Sequence, residues 1–199
     1  MKKSKLILIS YITLLVLGMI FLTSMSFVYQ EKLHYKKSTI QLKDFKHLYV
    51  KEKSFVELKN AGSNSPDEYS LQIAQINKIK YDISGDTLYI KSIRDSITGS
   101  FVTLYVKELF SISGVNCKIW GNNLKENRLE INLHNSSFTG KVTADSLWIN
   151  LNNSNCLFHV KQPIDFVKIS MENDSYINLP AVKEIEVNSI DETCMLSIN

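Results

Sequence analysis

The sequence predicts an all-β fold behind a membrane anchor. An N-terminal cytoplasmic tip and transmembrane helix occupy residues 1–29 and a linker residues 30–38. A parallel β-helix-like domain with coils of about 18–20 residues fills 39–199. Three observations carry this: an uncharged apolar run near the start, alternation of apolar and polar residues through the rest, and a repeat over the last ninety residues or so.

The anchor comes first. Leu6 to Tyr29 holds no charge over 24 residues and follows Lys2, Lys3 and Lys5. At about 1.5 Å per residue this run crosses a hydrocarbon core of roughly 30 Å. A helix also satisfies its own backbone there. A cleaved signal peptide is the alternative, but its apolar core is usually about 7–15 residues. Only a weak small-residue site, Ser24 and Ser26 around Met25, is available here. The short N-terminal side has little to translocate, so the expected orientation is N-terminus in and domain out. In a bacterium this is a single-pass inner-membrane protein with a periplasmic domain.

The strands follow. Leu48-Tyr49-Val50, Phe55-Val56-Glu57-Leu58 and Leu71-Gln72-Ile73 alternate or run short and apolar. Ile79 to Ile83 and Leu88 to Ile90 flank Ser84-Gly85-Asp86 and predict a hairpin. Phe101 to Lys107 is a further strand. The repeat then aligns Leu129, Leu147, Val167 and Ile185, with steps of 18, 20 and 18 residues. Two positions on stand Ile131, Ile149, Ile169 and Val187; four on, Leu133, Leu151, Met171 and Ser189; nine on, Phe138, Cys156, Tyr176 and Cys194. Phe110, Ile112 and Gly114 extend the columns upstream. Five columns agreeing at once favour stacked coils over an evenly spaced antiparallel meander. Asn116, Asn135, Asn153, Asn173 and Asp191 form a corner ladder, because these residues tolerate left-handed backbone and stack side chain on side chain.

Composition narrows the function. The net charge is +3 with no basic stripe, which argues against nucleic acid as a partner. Cys117, Cys156 and Cys194 are widely spaced and suit small core positions rather than a zinc or redox motif. His34, His47, His134 and His159 show no ligand spacing, and no catalytic or cofactor motif is present, so no cofactor is expected. Asp174 and Glu192, one coil apart near Glu172 and Asp191, are the one arrangement that suggests a calcium site or a carboxylate pair for glycan cleavage. Such acids are more commonly solvated corners.

The outward side of the first strand offers an interaction face. One column is Glu130, Trp148, Lys168 and Glu186; the next is Asn132, Asn150, Ser170 and Asn188. A tryptophan beside small amides suits a sugar or a partner ring. The plainer alternative is a Lys168–Glu186 cross-strand pair with Trp148 covered. Met195, Leu196 and Ile198 carry the pattern on without a polar cap, which predicts a coil end able to self-associate.

Several segments resemble the bacterial GIN domain family of adhesin-head domains, over roughly residues 39 to 199. They are Phe45-Lys46-His47-Leu48-Tyr49-Val50, Tyr69-Ser70-Leu71-Gln72-Ile73, Ser84-Gly85-Asp86-Thr87-Leu88-Tyr89-Ile90 and Leu109-Phe110-Ser111-Ile112-Ser113-Gly114. The family's Gly-Ser-Gly corners are replaced here by Asn-Ser-Ser, Asn-Ser-Asn and Asn-Asp-Ser. The resemblance implies a right-handed β-helical fold, no catalytic residues, and an adhesion-type module facing an envelope glycan or protein. The alternatives are a bactofilin-like self-assembling scaffold and, behind it, a carbohydrate-active enzyme.

Overall fold

The computed structural model describes residue 19 and residues 37–61, 69–74, 79–92, 100–160 and 162–198. The chain divides into two units at Lys36, and all the described strands belong to the second. The expected anchor lies outside the described residues except for Met19, which is helical and exposed. No helix among the described residues is long and apolar enough to cross a membrane.

Alternating sequences become strands here because most bury one face, while β5 and the last rung stay largely exposed. In chain order they are β1 Lys37–Gln41, β2 His47–Lys51, β3 Ser54–Asn60, β4 Ser70–Ala74 and β5 Ile79–Ser84. Next come β6 Thr87–Ser92, β7 Ser100–Val106, β8 Ser111–Val115, β9 Lys118–His134 and β10 Ser137–Asn152. The last are β11 Asn155–Phe158, β12 Ile164–Glu172, β13 Tyr176–Leu179, β14 Val182–Ile190 and β15 Met195–Ile198.

They stack in two rows. The front row is β5, β6, β2, β8, the second half of β9, the second half of β10, β12 and β14. The back row is β1, β4, β7, β3, the first half of β9, the first half of β10, β11, β13 and β15. Pairing is parallel except where β5, β1 and β4 join by antiparallel edges. Strands β9 and β10 run through both rows, so all fifteen belong to one sheet. The β5–β6 hairpin turns on Gly85, whose φ of 58° lies where glycine alone meets no Cβ penalty.

The core is the inward column of each row. Leu129, Leu147, Val167 and Ile185 lie in register on successive rungs, as do Ile131, Ile149, Ile169 and Val187. All but the last rung are buried. Each such aliphatic side chain contributes about 1.5–3 kcal/mol by leaving water.

The expected columns fail at three places, each for a local reason. Ile190, not Ser189, lies beside Met171, because the ladder slips by one residue between Ile169 and Ser170. Cys156 stacks on Ile177 and Tyr176 on Met195, because the third corner holds an extra residue: Asn173 and Asp174 are both left-handed, with φ of 52° and 55°. Phe110 is 41% exposed and its neighbour Leu109 is buried in its stead.

The same one-residue shift separates the cysteines. Cys156 sits in the back-row core, whereas Cys194 precedes β15 as Ser175 precedes β13. All three cysteines are free, with Cys117 and Cys156 buried. Burial raises both thiols, which keeps them protonated and unreactive.

Candidate functional site

The corners hold the two rows together. Asn116, Asn135, Asn153 and Asn173 all take left-handed backbone, with φ between 46° and 52°. Asn153 Nδ2 donates to Asn135 Oδ1 at 2.7 Å. Asp191 is not left-handed; its carboxylate instead accepts the Asn173 backbone N–H at 3.2 Å.

Beneath this ladder runs a buried one. Ser136 Oγ accepts the N–H of Cys117, Ser154 Oγ that of Ser136, and Ser175 Oγ that of Ser154, at 3.1–3.2 Å. These three corner amides are thereby paired inside the protein, as burial demands. This serine row passed unnoticed in the sequence, although the recurring Asn-Ser doublets at 135, 153 and, one residue later, Asp174-Ser175 carried it.

The front row's outward side brings most of the expected face residues together. Glu130, Trp148, Lys168 and Glu186 stand on consecutive rungs. Lys168 Nζ and Glu186 Oε1 are 2.7 Å apart. The Arg128 guanidinium lies 3.3 Å from the centre of the Trp148 ring, so one face of that ring is already occupied.

Asn132, Asn150 and Ser170 also line up, and Asn150 Nδ2 donates to Asn132 Oδ1 at 2.6 Å. Asn188 does not complete this column: the slip in β14 places Ser189 beside Ser170. Asn132 in turn donates to Glu130 at 2.9 Å, which knits the two columns.

The second column extends further than the sequence suggested, through Ser113 to Tyr49 and then Tyr89. A groove of about 360 Å³ follows it, with Tyr49 at one end and Ser113, Asn132, Asn150 and Ser170 along it. The Tyr49 and Tyr89 rings are 5.6 Å apart, and Lys51 Nζ is 5.0 Å from the Tyr49 ring centre. Chemically this is a row of short side chains that donate and accept, ending at aromatic faces. The tyrosines were legible only once β2 was seen to stack on β8, since they lie far from the repeat in sequence.

The acids suggested for calcium or glycan cleavage lie at a solvent-facing corner. Asp174 and Glu192 are both exposed, and the Asp174 backbone N–H bonds to Thr193 Oγ1. Among the described residues no group of three His, Cys, Asp or Glu side chains is placed to hold a metal ion.

One carboxyl was missed. Glu126 occupies an inward position of β9, opposite Ala144, and is only 9% exposed. Burial pushes it up to about 7 against the opposing hydrogen bond from the Leu109 backbone, with a smaller upward push from the Glu108 charge. A glutamate two residues after core Leu124 and three before core Leu129 was the available signal.

No family model matches this chain, and no curated protein matches it. Several solved structures are similar to it. One, named "putative adhesin", from Bacteroides fragilis NCTC 9343, has a TM-score of 0.50 at 15% identity, covering 82% of this chain and 92% of that one. A "putative lipid binding protein" from Parabacteroides distasonis ATCC 8503 has a TM-score of 0.47 at 14% identity, covering 82% and 92%. A "putative cell adhesion protein" from Clostridium sporogenes ATCC 15579 has 0.36 at 10%, covering 82% and 98%. At 15% identity the likeness to the Bacteroides fragilis structure is one of fold alone.

Proposed function

We propose that this chain is a non-enzymatic adhesion-type module of the cell envelope, of the GIN type with right-handed coils. The N-terminal run holds it in the inner membrane and the β domain faces outward. The ligand is an envelope glycan. The front-row groove carries this reading. Its serine and asparagine side chains offer donors and acceptors at a spacing of one rung, about 4.8 Å, and Tyr49 and Tyr89 offer faces on which a sugar ring stacks. The adhesin name of the Bacteroides fragilis structure of like fold supports it.

The test is binding of the full-length chain in detergent to immobilised envelope glycans. Replacing Asn132 and Asn150 together by alanine is expected to weaken binding at least tenfold, since two polar pairs are lost at about 1 kcal/mol each. Trp148→Ala is expected to matter less, because Arg128 already covers that ring. Wild-type binding by the double variant contradicts the reading.

A specific observation favours a second reading, self-association. Strands β14 and β15 pair on one side only among the described residues, and they expose Ile185, Val187, Ile190, Met195 and Ile198. Such an edge pairs readily with another. The opposite ends of both rows finish in antiparallel strands, β5 and β1, so this reading favours like ends meeting over an endless filament. Sedimentation over a concentration series is expected to show a dimer that Val187→Lys abolishes. A wild-type monomer at high concentration contradicts it.

A further inference from the structure

A second cavity, of about 520 Å³, opens beside the groove and is lined by His47, Glu108, Phe110, Glu126, Arg128 and Glu130. Its polar walls are unevenly committed. The His47 Nδ1 and Ser111 Oγ atoms share a hydrogen bond of 2.7 Å. The Arg128 guanidinium lies on Trp148, and Lys46 Nζ lies 4.7 Å from the Phe110 ring centre. The cations near the cavity are thus spent on aromatic faces.

The carboxylates lack a cation, although Glu130 Oε1 accepts from Asn132 Nδ2. Among the described residues no ion pair reaches Glu108, Glu126 or Glu130. Among the described residues Glu126 Oε1 is buried with no hydrogen-bond partner, while Leu109 provides a backbone N–H to the side chain. A buried acceptor left unpaired costs about 1–3 kcal/mol, more when charged. A ligand donor placed there relieves that cost. Opposite Glu126 on the next rung stands Ala144, one of the smallest side chains in the core.

We propose that this cavity binds a primary ammonium group, with Glu126 as its buried counter-ion. An ammonium carries three donors and a charge. Glu126 Oε1 accepts one donor, and Glu108 and Glu130 supply further acceptors at the rim. The exposed edge of Phe110 packs the carbon next to the nitrogen. A neutral hydroxyl meets the same acceptors but leaves the charge uncompensated, and charge-assisted hydrogen bonds are about twice as strong as neutral ones. The cavity borders the Asn132–Asn150 groove, since Asn132 donates to Glu130, but Glu126 and Glu108 lie outside that groove, so the proposal stands whether or not the groove binds glycan.

Calorimetry on the full-length chain in detergent tests this with three probes: a glucosamine trimer, its fully N-acetylated counterpart, and 1,4-diaminobutane. The expected result is that the free-amine trimer binds and acetylation weakens it at least tenfold. Diaminobutane then separates the sources: binding of both amines assigns a free amine, and binding of the trimer alone assigns a sugar-borne one. Glu126→Gln, which keeps the shape, is expected to weaken binding at least tenfold. Exposed Glu108→Gln, which leaves the core untouched, is expected to weaken it about threefold. Equal affinity for the acetylated trimer, or unchanged affinity in both variants, overturns the proposal. So does binding of calcium at the same site with no response to either amine.

Discussion

Glu126 is the residue where sequence pattern and function part. Its place in β9 is a core place, where an apolar side chain carries no charge to desolvate. Burial instead holds the folded-state value near 7, above the ordinary 4.5. The folded chain therefore keeps a proton that the unfolded chain gives up as pH rises from about 4.5 to about 7. Stability is lost across that window and is level above it. The loss is about 1–2 kcal/mol once screening by water at the cavity mouth is counted. Urea unfolding between pH 4.5 and 8 is expected to show this slope in the wild type and a shallower one in Glu126→Gln. Equal slopes would remove Glu126 as its source. The residue was visible in the sequence as a break in an apolar column. Its lack of a partner was not, because that depends on Leu109, Glu108 and Ala144, which the fold brings together from other rungs.

At the scale of the element, the stacking of β9 on β10 leaves no room for a side chain at Gly140, which faces Gly121. A Cβ added to Gly140 would lie 2.4 Å from the Gly121 carbonyl oxygen and 2.8 Å from its Cα, and backbone cannot step aside. Gly140→Ala is expected to cost about 2–3 kcal/mol in urea unfolding, at the upper end of overpacking effects. Exposed Lys141→Ala next to it is expected to change stability by no more than about 0.5 kcal/mol. A neutral Gly140→Ala would mean that the two rungs lie further apart. Elements of this kind were largely legible. Period-2 alternation placed most strands, and the asparagine spacing placed the corners. The register errors came where a single inserted residue is locally cheap, at Asn173-Asp174 and at the slip in β14. Counting positions cannot detect such insertions, since either register satisfies the alternation until the neighbouring rung is known.

At the scale of the molecule, the columns matter more than any one strand. Parallel stacking converts a short polar signature into a row, so Ser113, Asn132, Asn150 and Ser170, drawn from four strands, act as one surface. The tyrosines at its end come from β2 and β6, which precede the repeat and join it only through long crossovers. This explains why the sequence disclosed half of the groove: the repeat announces itself, and the strands that cap it do not.

The alignment of rungs is what every functional statement above requires. Cysteines placed at Asn150 and Ser170, register partners on adjacent strands, should lie roughly 4.8 Å apart, inside the disulfide range of about 4.4–6.8 Å. Cysteines at Asn150 and Glu172, two residues further along β12, should lie about 8 Å apart. Oxidation followed by mass spectrometry is expected to find the 150–170 bond in a folded protein and none between 150 and 172. Efficient bonding of the second pair and not the first would contradict the stacked register, and with it the groove.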